Sequence, residues 1–350
     1  MTKPALATTG VFALVVAGGV LHYSGASAVA TFVVTGIALG GVAWTIGMAT
    51  EAVGTRFGPA VTGALQSTLG NLPELFIVLF ALAKGELVVA QFSILGSIFA
   101  NALLVLGIAL TVGASKDSSG VMRFGKRLPN DTATLLLLAV FIIALLGISD
   151  HAGIGTSDHI VTISAIGAIL LLFVYVVWFQ AYLRAETNGH GPGEQTHDAL
   201  PFRRALWLLA ASGVAAAFVS EWFVDAIDPA VRALGISKAF TGLVIVAIVG
   251  NAVENVVAVQ LAAKGKHDLA ISVVKNSVAQ IACFLWPVLV LVSLTFSTRL
   301  TFVIPSVFAG ALVLMALAVW QITGDGEAAP FEGLALVALY AVLATIVWFE

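Results

Sequence analysis

Apolar runs close to 20 residues long alternate with short polar breaks along the whole chain. Eleven such runs are legible, at roughly 5–22, 27–49, 60–83, 87–113, 131–149, 158–182, 204–224, 239–262, 268–294, 301–322 and 331–349. Each is long enough to cross a hydrocarbon core about 30 Å thick. In lipid the backbone must satisfy its own polar groups, and runs of this length do so as helices. The pattern therefore predicts an all-α integral membrane protein with about eleven transmembrane helices. Most breaks are short, as in a compact bundle. The longer ones are Ala114–Asn130 and Arg184–Arg203, and the second, carrying Gly189, Gly191, Pro192 and Gly193, reads as a flexible linker.

Composition sharpens this picture. Hydrophobic residues make up 60% of the 350-residue chain and charged residues 10%, where a soluble domain carries about 25% charged residues. Mean hydropathy is +1.05. The single cysteine, Cys283, excludes an intrachain disulfide framework. Lys3 leads into a long span without a clear small-residue cleavage site, so no cleavable signal peptide is expected. A net charge of −3 says little about a chain mostly in lipid, and nothing points to nucleic acid.

Two apolar runs are interrupted in the same way. Gly70-Asn71-Leu72-Pro73-Glu74 breaks the third, and Gly250-Asn251-Ala252-Val253-Glu254 breaks the eighth. Subtracting 74 from 254 gives 180, and that offset also aligns Ala83-Lys84-Gly85 with Ala263-Lys264-Gly265 and Ser97 with Ser277. Five spans separate the copies, an odd number, so the copies enter the membrane from opposite faces. This predicts a leading helix over 1–24 and an inverted repeat of five plus five helices with broken helices at the midplane. The repeats occupy 25–183 and 204–350, joined by a cytoplasmic linker over 184–203.

Lysine and arginine counts orient the bundle. Eleven (Lys3, Arg56, Lys116, Arg123, Lys126, Arg127, Arg184, Arg203, Arg204, Lys264 and Lys266) fall on the N-terminal side, and four (Lys84, Arg232, Lys238 and Arg299) on the other. The N-terminus is thus expected in the cytoplasm and the C-terminus outside, with the protein multi-pass in the cell (inner) membrane.

An intramembrane carboxylate is expensive, roughly 2.5–3.5 kcal/mol on insertion scales, so it faces a cavity and binds something. Each repeat supplies one carboxylate and one nearby amide: Glu74 with Asn71, and Glu254 with Asn251. The following spans add Ser97 and Asn101, four apart, and Ser277 and Gln280, three apart, each pair on one helix face. Antiparallel stacking would bring the two glutamates together near the midplane. Two carboxylates with amide, hydroxyl and carbonyl oxygens form a hard site that suits Ca²⁺. Polar glue between helices is the plainer reading of the serines and asparagines; it explains paired glutamates poorly.

The motif Gly70-Asn71-Leu72-Pro73-Glu74-Leu75, followed by Gln91-Phe92-Ser93-Ile94-Leu95-Gly96-Ser97 and Asn101, resembles the first signature repeat of the Ca²⁺/H⁺ exchangers of the Ca²⁺:cation antiporter superfamily. Gly250-Asn251-Ala252-Val253-Glu254, Lys264-Gly265-Lys266, Asp268-Leu269-Ala270 and Gln280-Ile281-Ala282 resemble the second, and Phe218-Val219-Ser220-Glu221 is also similar. The resemblance spans nearly the whole chain. It implies a ten-helix core plus one leading helix, with Glu74 and Glu254 alternately holding Ca²⁺ and protons. No resident cofactor is implied; Ca²⁺ and H⁺ are cargo, the lipid bilayer is the surrounding partner, and homo-oligomerisation stays open. One departure is Lys275-Asn276-Ser277, where the family has an apolar residue and then Gly-Ser. Two residues of helix place Lys275 about 200° round from Ser277, facing away, where its ammonium either snorkels or pairs with Glu221 or Asp225.

Na⁺/Ca²⁺ exchange, or exchange of Na⁺ or K⁺ for H⁺, is the nearest alternative. Sodium-coupled relatives resemble Gly-Thr-Ser at the broken helix and add an acidic ligand in the second repeat. Here Gly-Asn stands at both breaks, and Ser277 to Gln280 holds no carboxylate, which favours protons. An enzyme is not expected: there is no His-Glu-x-x-His, and Cys283 has no histidine partner in a motif. Asp150-His151 and Asp158-His159 share one outer loop and offer an adventitious metal site; Glu221, Asp225 and Asp228 read as a solvated helix end.

Overall fold

The structure, a computed structural model, describes residues 3–54, 69–152, 157–189 and 200–349. Its helices are α1 (Lys3–Tyr23), α2 (Ala28–Gly54), α3 (Leu72–Ala83), α4 (Leu87–Lys116), α5 (Arg127–His151), α6 (Ile160–Gly189), α7 (Phe202–Leu234), α8 (Lys238–Gly250), α9 (Ala252–Ala263), α10 (His267–Ser293), α11 (Ser306–Thr323) and α12 (Pro330–Trp348). Among the described residues, nine helices are long and apolar enough to cross a membrane, and ten if the bent pair α8 and α9 counts as one span. The start of the predicted span 60–83 lies outside the described residues, and α3 is its described part.

The bundle is layered by burial. The apolar windows of α4 and α10 are 83% and 72% buried, against 22% for α1 and 28% for α6 and α12. Helices α4 and α10 therefore form the centre, and the last three present Val16, Phe173 and Leu334 outward, where lipid solvates them. The most extensive helix packing is α2 against α7.

Close backbone approach at the centre depends on glycine. A Cβ on Gly96 of α4 would overlap the Leu243 carbonyl oxygen of α8, and one on Gly242 would lie 2.8 Å from the Phe92 Cβ. The same exchange joins α4 to α12, where a Cβ on Gly107 would come 2.6 Å from the Gly333 carbonyl oxygen. Without apolar driving force between helices in lipid, such small-residue crossings let van der Waals contact hold the bundle.

The backbone repeats itself at the offset seen in the motifs. Asn71 and Asn251 precede α3 and α9 with φ, ψ of −87°, 9° and −107°, 22°. Lys84 and Lys264 close those helices at −92°, 1° and −92°, 5°, and Gly85 and Gly265 turn the chain at φ +80° and +72°. A residue with a side chain rarely adopts that φ, which explains glycine there. Helices α4 and α10 each then pass through a π-helical stretch, Ala100–Val105 and Ile281–Leu285.

The two Ala-Lys-Gly turns sit at opposite ends of the bundle. Lys84 pairs with Asp225 near the end of α7, and Lys238 at the start of α8 donates to Glu86 Oε2 (2.7 Å). The other turn is held by Asp268, whose Oδ1 accepts from the Gly125 N–H (2.7 Å) beyond the far end of α4. Helix α4, 30 residues and thus about 45 Å long, runs between them. Around Gly125 the chain forms a two-residue antiparallel pairing of β1 (Met122–Arg123) with β2 (Glu327–Ala328), backed by Arg123 to Glu327 (3.3 Å). In the same loop two hydrogen bonds from Ser119 hold the Asp117 carboxyl below its ordinary range.

Three expectations change. Asp225 and Asp228 are solvent-accessible as expected but neither ends the helix nor stands alone: α7 runs on to Leu234, Asp225 meets Lys84 and His22, and Asp228 meets Arg232 and Lys238. Lys275 pairs with neither Glu221 nor Asp225; it is 3% exposed, and its Nζ donates to Thr323 Oγ1 on α11 (3.0 Å). Helix α6 continues to Gly189, and 190–199 lie outside the described residues.

Candidate functional site

Helices α3 and α9 begin at the chain breaks. Pro73 occupies the first turn of α3, where a missing N–H leaves no helical bond unmade. Opposite it, α8 and α9 meet at 59° around Asn251. Glu74 and Glu254 each stand in the first turn of their helix. There the unpaired N–H groups and the helix dipole favour negative charge, which offsets part of the penalty of burying a carboxylate.

The two breaks face each other reciprocally. A Cβ on Gly70 would lie 2.8 Å from Glu254 Oε1, and one on Gly250 would lie 3.7 Å from the Glu74 Cβ. Each glutamate thus rests against the glycine that opens the other break. Glu74 is fully buried, whereas Glu254 is half-buried as a residue with its Oε2 sealed.

Among the described residues Glu74 Oε1 and Oε2, Glu254 Oε2, Asn101 Oδ1 and Ser277 Oγ are buried with no hydrogen-bond partner. A buried polar atom left unpaired costs on the order of 1–3 kcal/mol, so five such oxygens on the predicted site residues need a partner of another kind. All are hard donors. No group of three or more His, Cys, Asp or Glu residues suited to a metal ion occurs among the described residues.

The remaining predicted residues fall into two sets. Ser97, Asn101 and Asn251 are joined: Asn251 Nδ2 donates to Ser97 Oγ (2.8 Å), and Asn101 Nδ2 donates to Asn251 Oδ1 (3.1 Å) and to the Ser97 carbonyl (3.0 Å). Gln280 is 3% exposed on α10, three residues after Ser277, and Asn71 is 5% exposed at the α3 break. One further contact bears on the break: Ser220 Oγ of α7, 0% exposed, donates to the Pro73 carbonyl (3.4 Å). Its signal was present in Phe218-Val219-Ser220-Glu221, but sequence does not say which carbonyl a serine will meet. Asp150 and His151 instead line a separate cavity of about 420 Å³ with Gln91, Thr301 and Ser306.

The comparisons agree with this architecture. The family model described as sodium/calcium exchanger protein matches residues 27–181 and 204–349. The chain is 32% identical over 338 residues to the Ca²⁺/H⁺ antiporter ChaA of Bacillus subtilis, covering 95% of this chain and 94% of that protein. It is 31% identical over 350 residues to a Ca²⁺/H⁺ antiporter of Synechocystis sp., covering 94% and 93%. Among solved structures it resembles native YfkE with a TM-score of 0.80 at 29% identity, covering 97% of this chain and 100% of that one. The chain belongs to the sodium/calcium exchanger family, among the Ca²⁺/H⁺ exchangers of the Ca²⁺:cation antiporter superfamily.

Proposed function

We propose that this protein is a secondary antiporter exchanging Ca²⁺ for H⁺ by alternating access at one site shared by Glu74 and Glu254. The observation that carries the reading is the set of buried oxygens without hydrogen-bond partners on Glu74, Glu254, Asn101 and Ser277. Ca²⁺ takes six to eight oxygen ligands, about 2.3–2.6 Å away, in flexible geometry. Two carboxylates match its charge, and the amide and hydroxyl oxygens fill the remaining positions. Asn71 at the α3 break and Gln280 on α10, three residues after Ser277, add further oxygens of the expected set.

Without Ca²⁺ the two carboxylates take protons, because two bare charges buried this deeply lack compensation. The site then crosses the membrane either with one Ca²⁺ or with about two protons. The two glutamate-bearing helix pairs, whose turns lie at opposite ends of the bundle, act as an inverted repeat that opens the site to one face at a time. The protein sits in the cell (inner) membrane with its N-terminus in the cytoplasm, and a proton gradient drives Ca²⁺ efflux.

The test is flux of radiolabelled Ca²⁺ into proteoliposomes under an imposed pH gradient or an imposed Na⁺ gradient. Uptake is expected with the pH gradient and no Na⁺, and is expected to vanish in Glu74→Gln and in Glu254→Gln. Movement driven by the Na⁺ gradient alone would place the protein with Na⁺/Ca²⁺ exchange. Near-wild-type flux in either glutamine variant would break the shared site.

A further inference from the structure

We infer that Asn251 is a positioning residue that clamps α4 to the α8–α9 break, rather than a cation ligand. The inference rests on the site proposed above and assigns a role within it. Asn251 is fully buried at the bend. Its Nδ2 carries two protons, and both are engaged: one by Ser97 Oγ (2.8 Å) and one by the Ala247 carbonyl (3.0 Å). Its Oδ1 accepts from Asn101 Nδ2 (3.1 Å).

The amide orientations are not interchangeable. A backbone carbonyl can only accept, so the nitrogen of Asn251 must face Ala247 and the nitrogen of Asn101 must face the Ser97 carbonyl at 3.0 Å. Reversing either amide would set oxygen against oxygen. Asn251 therefore has both ends turned to protein, while Asn101 keeps a buried Oδ1 with no hydrogen-bond partner among the described residues.

The clamp belongs to one half of the site. Ser277, the counterpart of Ser97 at the repeat offset, has a buried Oγ with no hydrogen-bond partner among the described residues. By accepting from Asn251, Ser97 leaves its own O–H to turn toward Glu74, which its side chain neighbours. Asn251 thus acts through Ser97, the α4 residue beside the first carboxylate, and through Asn101, which donates to its Oδ1.

A double-mutant cycle on full-length protein tests this. Asn251→Ala, Ser97→Ala and their combination are compared for thermal stability in detergent without Ca²⁺, and for Ca²⁺ affinity by calorimetry across pH. Residues joined by one bond lose it once, so their effects do not add. Each single variant is expected to weaken Ca²⁺ binding roughly tenfold, the scale of one buried hydrogen bond, and the combination no further. The pH profile of Ca²⁺ binding is expected to move alike in both single variants, and Ser97→Thr, which keeps the hydroxyl, to retain affinity. If Asn251→Ala does not fold, Asn251→Ser replaces it in the cycle. Effects that multiply in the combination would make Asn251 an independent ligand and overturn its positioning role alone. Wild-type protein that binds no Ca²⁺ would overturn the functional reading and this role with it.

Discussion

Glu254 Oε1 lies against Gly70 so closely that a Cβ there would come within 2.8 Å of it, while the reciprocal pair, Gly250 and Glu74, leaves 3.7 Å. The breaks repeat in sequence, but the space beside the two carboxylates is unequal. Gly70→Ala must displace Glu254, whereas Gly250→Ala meets ordinary van der Waals contact. The alanine at 70 is expected to lower Ca²⁺ uptake at least about tenfold, the alanine at 250 by much less, with transition-state or binding loss of about 1.4 kcal/mol separating them. Vesicle uptake normalised to protein in the membrane decides it; equal losses would mean that the space beside the carboxylates is not limiting.

The crossing of α4 and α8 makes a stability prediction. Gly96→Ala places a methyl group on the Leu243 carbonyl oxygen, which is backbone and cannot rotate away. Overpacking of this kind costs about 1–3 kcal/mol. A lowered melting temperature in detergent is expected, together with reduced transport. By contrast Gly213→Ala, where a Cβ meets nothing within 4 Å, is expected to leave the melting temperature unchanged.

Lys275 is buried, and Thr323 Oγ1, 3.0 Å from Nζ, is its hydrogen-bond acceptor; no ion pair involves Lys275 among the described residues. A buried amine without an opposite charge carries a desolvation cost, so an apolar residue of similar volume in its place is expected to be neutral or stabilising. Lys275→Met is expected to keep or raise thermal stability and to change Ca²⁺ affinity by less than about tenfold, roughly 1.4 kcal/mol. A larger change in affinity, or a change of preferred cation, would bring Lys275 into the ion path.

The proposed exchange has protons and Ca²⁺ competing for Glu74 and Glu254, and so predicts a steep pH dependence. On that reading the Ca²⁺-free site binds more protons than the Ca²⁺-bound site, so by linkage affinity rises with pH and falls as protons are added. Two displaced protons give up to about a 100-fold change in affinity per pH unit while both carboxylates titrate. Calorimetric Kd values over a pH series measure the slope. A flat series would separate Ca²⁺ binding from these carboxylates.

Much of the architecture was legible in the residues because lipid leaves few alternatives. Apolar length specifies a spanning helix, since backbone groups have no other partner in hydrocarbon. The offset of 180 between Glu74 and Glu254 carried the repeat, and the structure reproduces it in the cap dihedrals and positive-φ glycines of both copies. A candidate site was legible for the same reason: a carboxylate beside a helix-breaking glycine inside an apolar run is costly, and the structure sets the two such breaks, with Glu74 and Glu254, against each other.

What the residues left open was decided by side chains meeting across helices. Sequence periodicity turned Lys275 away from Ser277 but could not supply its partner, which is Thr323 from α11. Asp225 and Asp228 look like a solvated end until Lys84 and Lys238 arrive from other helices. Asn251 carries the same amide as Asn71, and only the approach of Ser97 and Asn101 from α4 decides where its nitrogen and oxygen point. The physical reason is range. Hydropathy and backbone propensity act within a few residues of chain, whereas hydrogen-bond direction in a dry interior is set by whichever donor or acceptor lies about 3 Å away, irrespective of its place in the sequence.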